Sequence, residues 1–477
     1  MEKTNQLEAS VTIYLAMVFT IILSLLLVIL EGARENAIRL KIECAMDLSL
    51  NSIFAEYNRQ LLEQYDLFFI DTSYGQAGAS IENTEVHLKA YLQDNFEAGG
   101  EAGLGKDLLG LQAEEVNILD YALASDEEGE LIKRQAVAYM KDLYGISYLD
   151  ELERQLDTVQ REGLLTRDVT GERLANQSAI DQFEIPPKQV GEDEWEEVEL
   201  HNPADAVNAT RGILSLVIDG DGELSTSGIC FSNYISQRDC NQGSGLAGRE
   251  GITLTDELIF NEYLIAKCGC YTDPKETGAL QYQLEYILAG KSNDVENLKA
   301  VVNRLLLLRE TANVVYLFSD EAKIAEAEAL ALAVTSAIAM PELTELVKVS
   351  LMFAWAYAES VYDVRMLLKG GKIPLIKDSG TWHYSISGML DFASDTQIDP
   401  KDSSGVSYEE YLRMFLAMEN EETRIYRAMD VIEMDIRKCD GNGYFRLDTC
   451  VDYVQAEAFT SSGYGYNHSI IRTYYYE

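Results

Sequence analysis

The hydrophobic pattern changes period several times along the chain, and each change predicts a different element. Val11 to Leu30 is an unbroken run of uncharged, mostly aliphatic residues, VTIYLAMVFTIILSLLLVIL, closed off by Glu8 and Glu31. At a rise of ~1.5 Å per residue, its length matches a hydrocarbon core about 30 Å thick. A cleavable secretory signal has a shorter apolar region, roughly 7 to 15 residues, ahead of small residues; here the run is followed by EGARENA. The pattern therefore predicts a retained transmembrane helix in contact with the lipid bilayer through residues 11–30. Beyond it, Ala33, Ala37, Leu40, Cys44, Leu48 and Ile53 keep a helical period, which predicts an amphipathic stalk reaching about Tyr65.

DLFFID at 66–71 and the stretch Glu115 to Leu123 read as strands, while His87 to Phe96 and Leu131 to Leu156 read as helices, with an acidic turn at Ser125 to Glu130. Pro186, Pro187, Pro203 and the run GEDEWEEVE mark a loop-rich passage. From Thr253 to Lys369 the helical period dominates: Val295, Leu298, Val301, Val302, Leu305 and Leu306 form a core-facing stripe, and Pro341 suits the first turn of a new helix. That helix holds LMFAWAYA, too short and too closely flanked by Lys348 and Glu359 to cross a membrane, so it is expected at the centre of a helical core that Gly370 and Gly371 end. Ser407 and Glu410 form a capping-box pattern opening a helix to Arg437. Phe445 to Thr460 and Ser469 to Tyr476 alternate as strands about the turn Ser461 to Gly465.

These elements predict a mainly helical α+β fold: an N-terminal transmembrane helix with an amphipathic stalk, a large helical core, and a small β-sheet made from the early and C-terminal strands. The expected order is a tail (1–10), the span (11–30), the stalk (31–65), an α+β segment (66–183), a loop-rich connection (184–252), the helical core (253–377), and a helix with a C-terminal hairpin (378–477).

Charge narrows the partners. With 38 basic and 80 acidic side chains, a net charge of −42 opposes any sequence-independent grip on phosphate backbones, which argues against nucleic acid. Of seven cysteines, Cys230 and Cys240, Cys268 and Cys270, and Cys439 and Cys450 fall close together, with Cys44 alone. The chain's histidines, His87, His201, His383 and His468, do not accompany them, so disulfides fit better than zinc, and Cys230, Cys240, Cys439 and Cys450 are the disulfide candidates. Oxidation would place the body in an extracytoplasmic compartment. Lys3 before the span against Arg34, Arg39 and Lys41 after it points the other way, but long domains cross membranes largely regardless of flanking charge. An extracytoplasmic body on a single-pass anchor in the cell membrane is the expectation.

Within the span, Thr12, Ala16, Thr20 and Ser24 recur every four residues and predict a face where another helix packs closely. Gly100 to Lys106 has the spacing of a phosphate loop but Asp107 replaces the hydroxyl residue; Gly243, Gly245 and Gly248 form a G-x-G-x-x-G without a preceding buried strand; Asp219, Asp221 and Glu223 open a calcium-like loop whose glycine and glutamate positions hold Leu224 and Cys230. With no serine-hydrolase elbow or zinc-helix motif either, no cofactor or metal is expected. Glu359, Asp363 and Arg365, next to the apolar run, are the candidates for a core ion network.

Together, NSIFAEYNRQLLEQYDLFFID at 51–71, KRQAVAYM at 133–140, LEYILAGK at 284–291, AWAYAESVYDVRMLLKGGKIPLIK at 354–377 and YRAMDVIEMDIR at 426–437 closely resemble an uncharacterised bacterial family of single-span proteins. That resemblance implies association with Tad (tight adherence) pilus assembly and an N-terminus similar to TadE and TadG pilin-like proteins; it implies no catalytic residues. One departure is that pilin-like sequences place a glutamate a few residues into the apolar segment, where this chain has Tyr14, with Glu8 outside. An accessory assembly component, not a shaft subunit, is the expected role, with membrane or pilus-assembly proteins as partners and no enzymatic activity. The rival expectations are an extracytoplasmic hydrolase using carboxylates for acid and base chemistry, and a surface sensor or adhesin.

Overall fold

A single helix, α1 (Glu2–Phe54), carries the chain from the apolar run into the folded body without a break. The computed structural model describes residues 2–97, 109–144, 149–189, 195–212, 214–218, 224–230, 234–395, 398, 400 and 404–476. Two units interleave along the chain: a helix–sheet unit of Met1–Gln135, Asp239–Gly251 and Cys439–Glu477, and a helical unit of Ala136–Arg238 and Ile252–Lys438. The consecutive segments expected from the sequence are thus gathered into two bodies, with the helical unit inserted between strands that belong together.

In the helix–sheet unit, β1 (Ile70–Asp71), α2 (Ile81–Glu97), β2 (Gln112–Leu123), β3 (Cys450–Ser461) and β4 (Asn467–Tyr475) build on α1. β3 is central: it pairs antiparallel with β2 from Gln112↔Ser461 to Leu123↔Val451, and with β4 from Ser461↔Asn467 to Tyr453↔Tyr475, while β1 adds Ile70↔Val451. The strands near both ends of the chain do join in one sheet. DLFFID contributes to the ladder only through Ile70 and Asp71. On β3 the alternation is clean: Val454, Ala456 and Ala458 are buried, and Phe459 lies on the opposite, open face. Ile38, Ile42, Met46, Leu50 and Ile53 of α1 meet Leu88, Leu92 and Phe96 of α2 and these inward strand residues in one apolar core.

In the helical unit, α3 (Asp294–Leu317), α4 (Thr344–Leu368), α5 (Tyr408–Met418) and α6 (Glu421–Lys438) are the main supports. α4 is buried on every side from Leu351 to Val361, as its all-apolar run requires. The helix Glu321–Ala337 lies close to it through Ala327 and Ala331, whose small side chains let the axes approach. The capping box of Ser407 and Glu410 forms as expected. The helix it opens ends at Met418, however, and α6 is separate, because Asn420 Oδ1 accepts the Thr423 N–H (3.0 Å) and starts a second helix. Within the stretch Leu131 to Leu156, the described residues are helical in Asp126–Tyr144 and in Leu149–Arg161.

Candidate functional site

Helical spacing places Glu359 and Asp363 one turn apart on the buried face of α4, and the fold brings two cations to them. Arg309 comes from α3 and Lys377 from the segment after α4, and all four side chains are 0% exposed. Asp363 Oδ2 accepts from Arg309 Nε (3.0 Å) and Nη2 (2.8 Å) and from Asn313 Nδ2 (3.0 Å), while its Oδ1 lies 2.5 Å from Lys377 Nζ. Lys377 also pairs with Glu359, which accepts the main-chain N–H groups of His383 (2.7 Å) and Tyr384 (2.9 Å). Arg309 Nη1 donates to the carbonyls of Pro374 (3.0 Å) and Leu375 (2.8 Å) and to Tyr411 Oη (3.0 Å).

Two negative and two positive groups therefore balance inside the unit. Burial alone would raise the Asp363 carboxyl, but the charges of Lys377 and Arg309 more than reverse this and hold it below the usual carboxylate range. Fully buried and each met by a cation, these carboxylates brace α3, α4, α5 and the segment after α4 against one another.

Arg365, the expected third member, is not part of this network. Two positions beyond Asp363 it leaves the helix on a different face, and it donates to the carbonyls of Leu216 (2.5 Å), Phe392 (2.8 Å) and Asp395 (2.6 Å). The two cations were missed for different reasons. Arg309 continues the Val302, Leu305, Leu306 stripe, so an arginine on a core-facing stripe was a readable signal. Lys377 follows the helix in an irregular segment and carries no such periodic mark.

The stalk is corrected more deeply. Far from standing free, α1 beyond Ile38 is embedded in the sheet unit, and the stripe expected to pack is not the one that does. Ala33, Ala37, Leu40, Cys44 and Leu48 are exposed, with Leu40 at 62% and Leu48 at 55%, and only Ile53 belongs to the buried face. α1 carries two apolar stripes, and the sheet covers the one with the larger branched side chains. Among the described residues, α1 is also the one helix long and apolar enough to cross a membrane, and from Val11 to Leu30 none of its side chains is buried. There Thr20 Oγ1 donates to Ala16 O (2.7 Å) and Ser24 Oγ to Ile21 O (3.1 Å), so these hydroxyls are satisfied within the helix, and Thr12 and Ala16 are exposed beside them.

All seven cysteines are thiols in the structure, so neither expected disulfide is formed. Cys450, buried at the start of β3, donates to Arg446 O (3.2 Å), and Cys439 accepts from Gln64 Nε2 (3.2 Å). Cys230 and Cys240 fall in different units. The glycines of G-x-G-x-x-G wrap a carboxylate: Asp126 accepts the N–H groups of Gly243 (2.8 Å), Gly245 (3.2 Å) and Leu123 (2.9 Å). A Cβ on Gly243 would lie 2.5 Å from Asp126 Oδ2, so the close approach itself demands glycine there. The phosphate-loop spacing at 100–106 and the acidic turn of Asp219, Asp221 and Glu223 lie outside the described residues. Among the described residues, no group of three or more His, Cys, Asp or Glu side chains could hold a metal ion.

No curated protein and no solved structure matches the chain. A family described as a family of unknown function (DUF5702) matches residues 193–462, a stretch that contains the whole buried ion network and β3. That match covers more than half of the chain, and the protein belongs to this family.

Proposed function

We propose that this protein acts by placement, as a membrane-anchored structural and interaction component of a cell-envelope assembly. The observation that carries this is the double-faced α1. One apolar stripe is spent on the protein's own core, while the other, Ala33, Ala37, Leu40, Cys44 and Leu48, stays exposed on the same helix that carries the span. An exposed apolar stripe at helical spacing suits the apolar face of a neighbouring helix. The balanced, fully buried ion network supports the same role, because its carboxylates brace the helical unit and are not presented to a ligand.

The finer identity is an accessory component of a Tad-type pilus, with the body on the outer face of the cell membrane. The resemblance of the chain to single-span proteins that accompany Tad assembly supports this, as does the ease with which long domains translocate. The partners are then single-span assembly proteins that run beside α1 and residues 11–30. The strongly acidic body adds a preference for basic partner surfaces.

The test is co-purification from native membranes with Leu40→Glu and Leu48→Glu introduced together. Loss of the membrane neighbours with unchanged thermal stability is expected, since both side chains are exposed. Retention of every neighbour would remove the helix-docking role. Resistance of the protein to carbonate extraction, and protease access to its body in intact cells, check the anchor and its orientation.

A further inference from the structure

The β3–β4 turn is shaped to present aromatic rings at the end of the span. Ser462 N–H donates to Tyr466 O (2.9 Å), Gly465 N–H to Ser462 O (2.9 Å), and Tyr466 N–H to Ser462 Oγ (3.1 Å), with Gly465 at φ +82°. Gly463 N–H donates to Leu109 O (3.0 Å), and a Cβ on Gly110 would lie 3.1 Å from Gly463 Cα, so the turn is pinned from its other side as well. Two contacts then fix it to α1 within four residues of the end of the apolar run. Tyr466 Oη is hydrogen-bonded to Glu31, and the Arg34 guanidinium lies 4.1 Å from the centre of the Tyr464 ring. Even with Arg34 over it, Tyr464 remains 46% exposed.

We infer that this turn is a second membrane contact, seating Tyr464 among the lipid headgroups of the bilayer that holds residues 11–30. This rests on the span lying in a membrane, as proposed above. The position follows from helix geometry: four residues of α1 advance only ~6 Å along its axis, less than the depth of a headgroup layer. Tyrosine is also the chemistry that interface selects, with an apolar ring and a polar tip. Tyr14, exposed near the other end of the run, stands 17 residues before Glu31, a rise of ~26 Å, so the two tyrosines mark two interfaces about one hydrocarbon thickness apart. The net charge of −42 selects against an anionic lipid surface, so the contact is with zwitterionic headgroups through an uncharged ring. The helix–sheet unit therefore rests on the membrane and is not projected from it.

The experiment uses the full chain reconstituted in phosphatidylcholine vesicles. Tyr444 is the internal control. It belongs to the same unit and is 58% exposed, and its near neighbour Asn442 accepts from Asn58 Nδ2 (2.8 Å), beyond the far end of α1 and on the order of 35 Å from Leu30. Hydroxyl-radical footprinting of the unaltered protein should oxidise Tyr464 several-fold more slowly than Tyr444. In Tyr464→Trp, the added fluorescence should be quenched at least twofold by a nitroxide on the lipid headgroup, and in Tyr444→Trp it should not respond. Equal oxidation rates together with no quenching at position 464 in protein that floats with the vesicles would overturn the turn contact and leave the anchor standing. Protein that fails to float would overturn both.

Discussion

The two units solve the same problem, a helix that must be buried, in opposite ways. In the helix–sheet unit, α1 buries one stripe of mainly aliphatic side chains, with the hydroxyl of Ser49 but no charged group among them, and leaves its other faces exposed or partly so. In the helical unit, α4 is surrounded on every side, so Glu359 and Asp363 go in with it and must be met by Arg309 and Lys377. A one-sided helix can turn its charges to water, whereas a fully enclosed one has to import counter-charges. The first arrangement should tolerate trimming, and the second should not tolerate the loss of a partner.

Four measurements break or sharpen that contrast. Arg309→Met strips Asp363 Oδ2 of two N–H donors in a fully buried site; a loss of about 3–5 kcal/mol is expected in denaturant unfolding of the helical unit, followed by the fluorescence of Trp355 and Trp382. A result near zero would mean that Lys377 alone satisfies Asp363.

Glu285 gives a second measurement, in pH. It accepts the Tyr271 N–H (2.8 Å) and the Tyr408 hydroxyl (2.8 Å), has no basic partner among its hydrogen bonds, and burial pushes its carboxyl up to about 7. A raised carboxyl holds a proton in the folded state that the unfolded state has lost, so stability falls as pH rises from about 4.5 through 7. Roughly 3 kcal/mol should disappear across that window, and Glu285→Gln should flatten the profile. Parallel profiles for the two proteins would show that Glu285 titrates normally.

On the other side of the comparison, Ile53→Val in the core of the helix–sheet unit should cost about 1 kcal/mol by thermal unfolding. The smallest effect should come from Arg161→Ala, which removes an exposed pair with Asp157 and should shift stability by less than about 0.5 kcal/mol.

The same contrast explains what the sequence made legible. Local signals held: the apolar run, the capping box at Ser407 and Glu410, and the C-terminal hairpin follow from neighbouring residues alone. Glu359 and Asp363 were readable because four residues make one turn. Grouping Arg365 with them overlooked the helical twist, since a residue two positions on faces elsewhere. Which of the two stripes on α1 is covered was not readable, because both have the right period and the choice belongs to α2 and to strands that lie more than four hundred residues further along the chain. Lys377 reaches the network only because the chain turns back after Gly370, whose φ of +83° ends α4, and nothing local announces that destination.

The continuity of α1 fixes an angular phase between bilayer and body. Each residue of an α-helix turns the chain by ~100°, so a single insertion between Leu30 and Ile38 would swing the whole helix–sheet unit about a quarter-turn relative to the small-residue stripe of Thr12, Ala16, Thr20 and Ser24. Neighbours that read both segments at once would see their two halves fall out of alignment, although no residue they touch had changed.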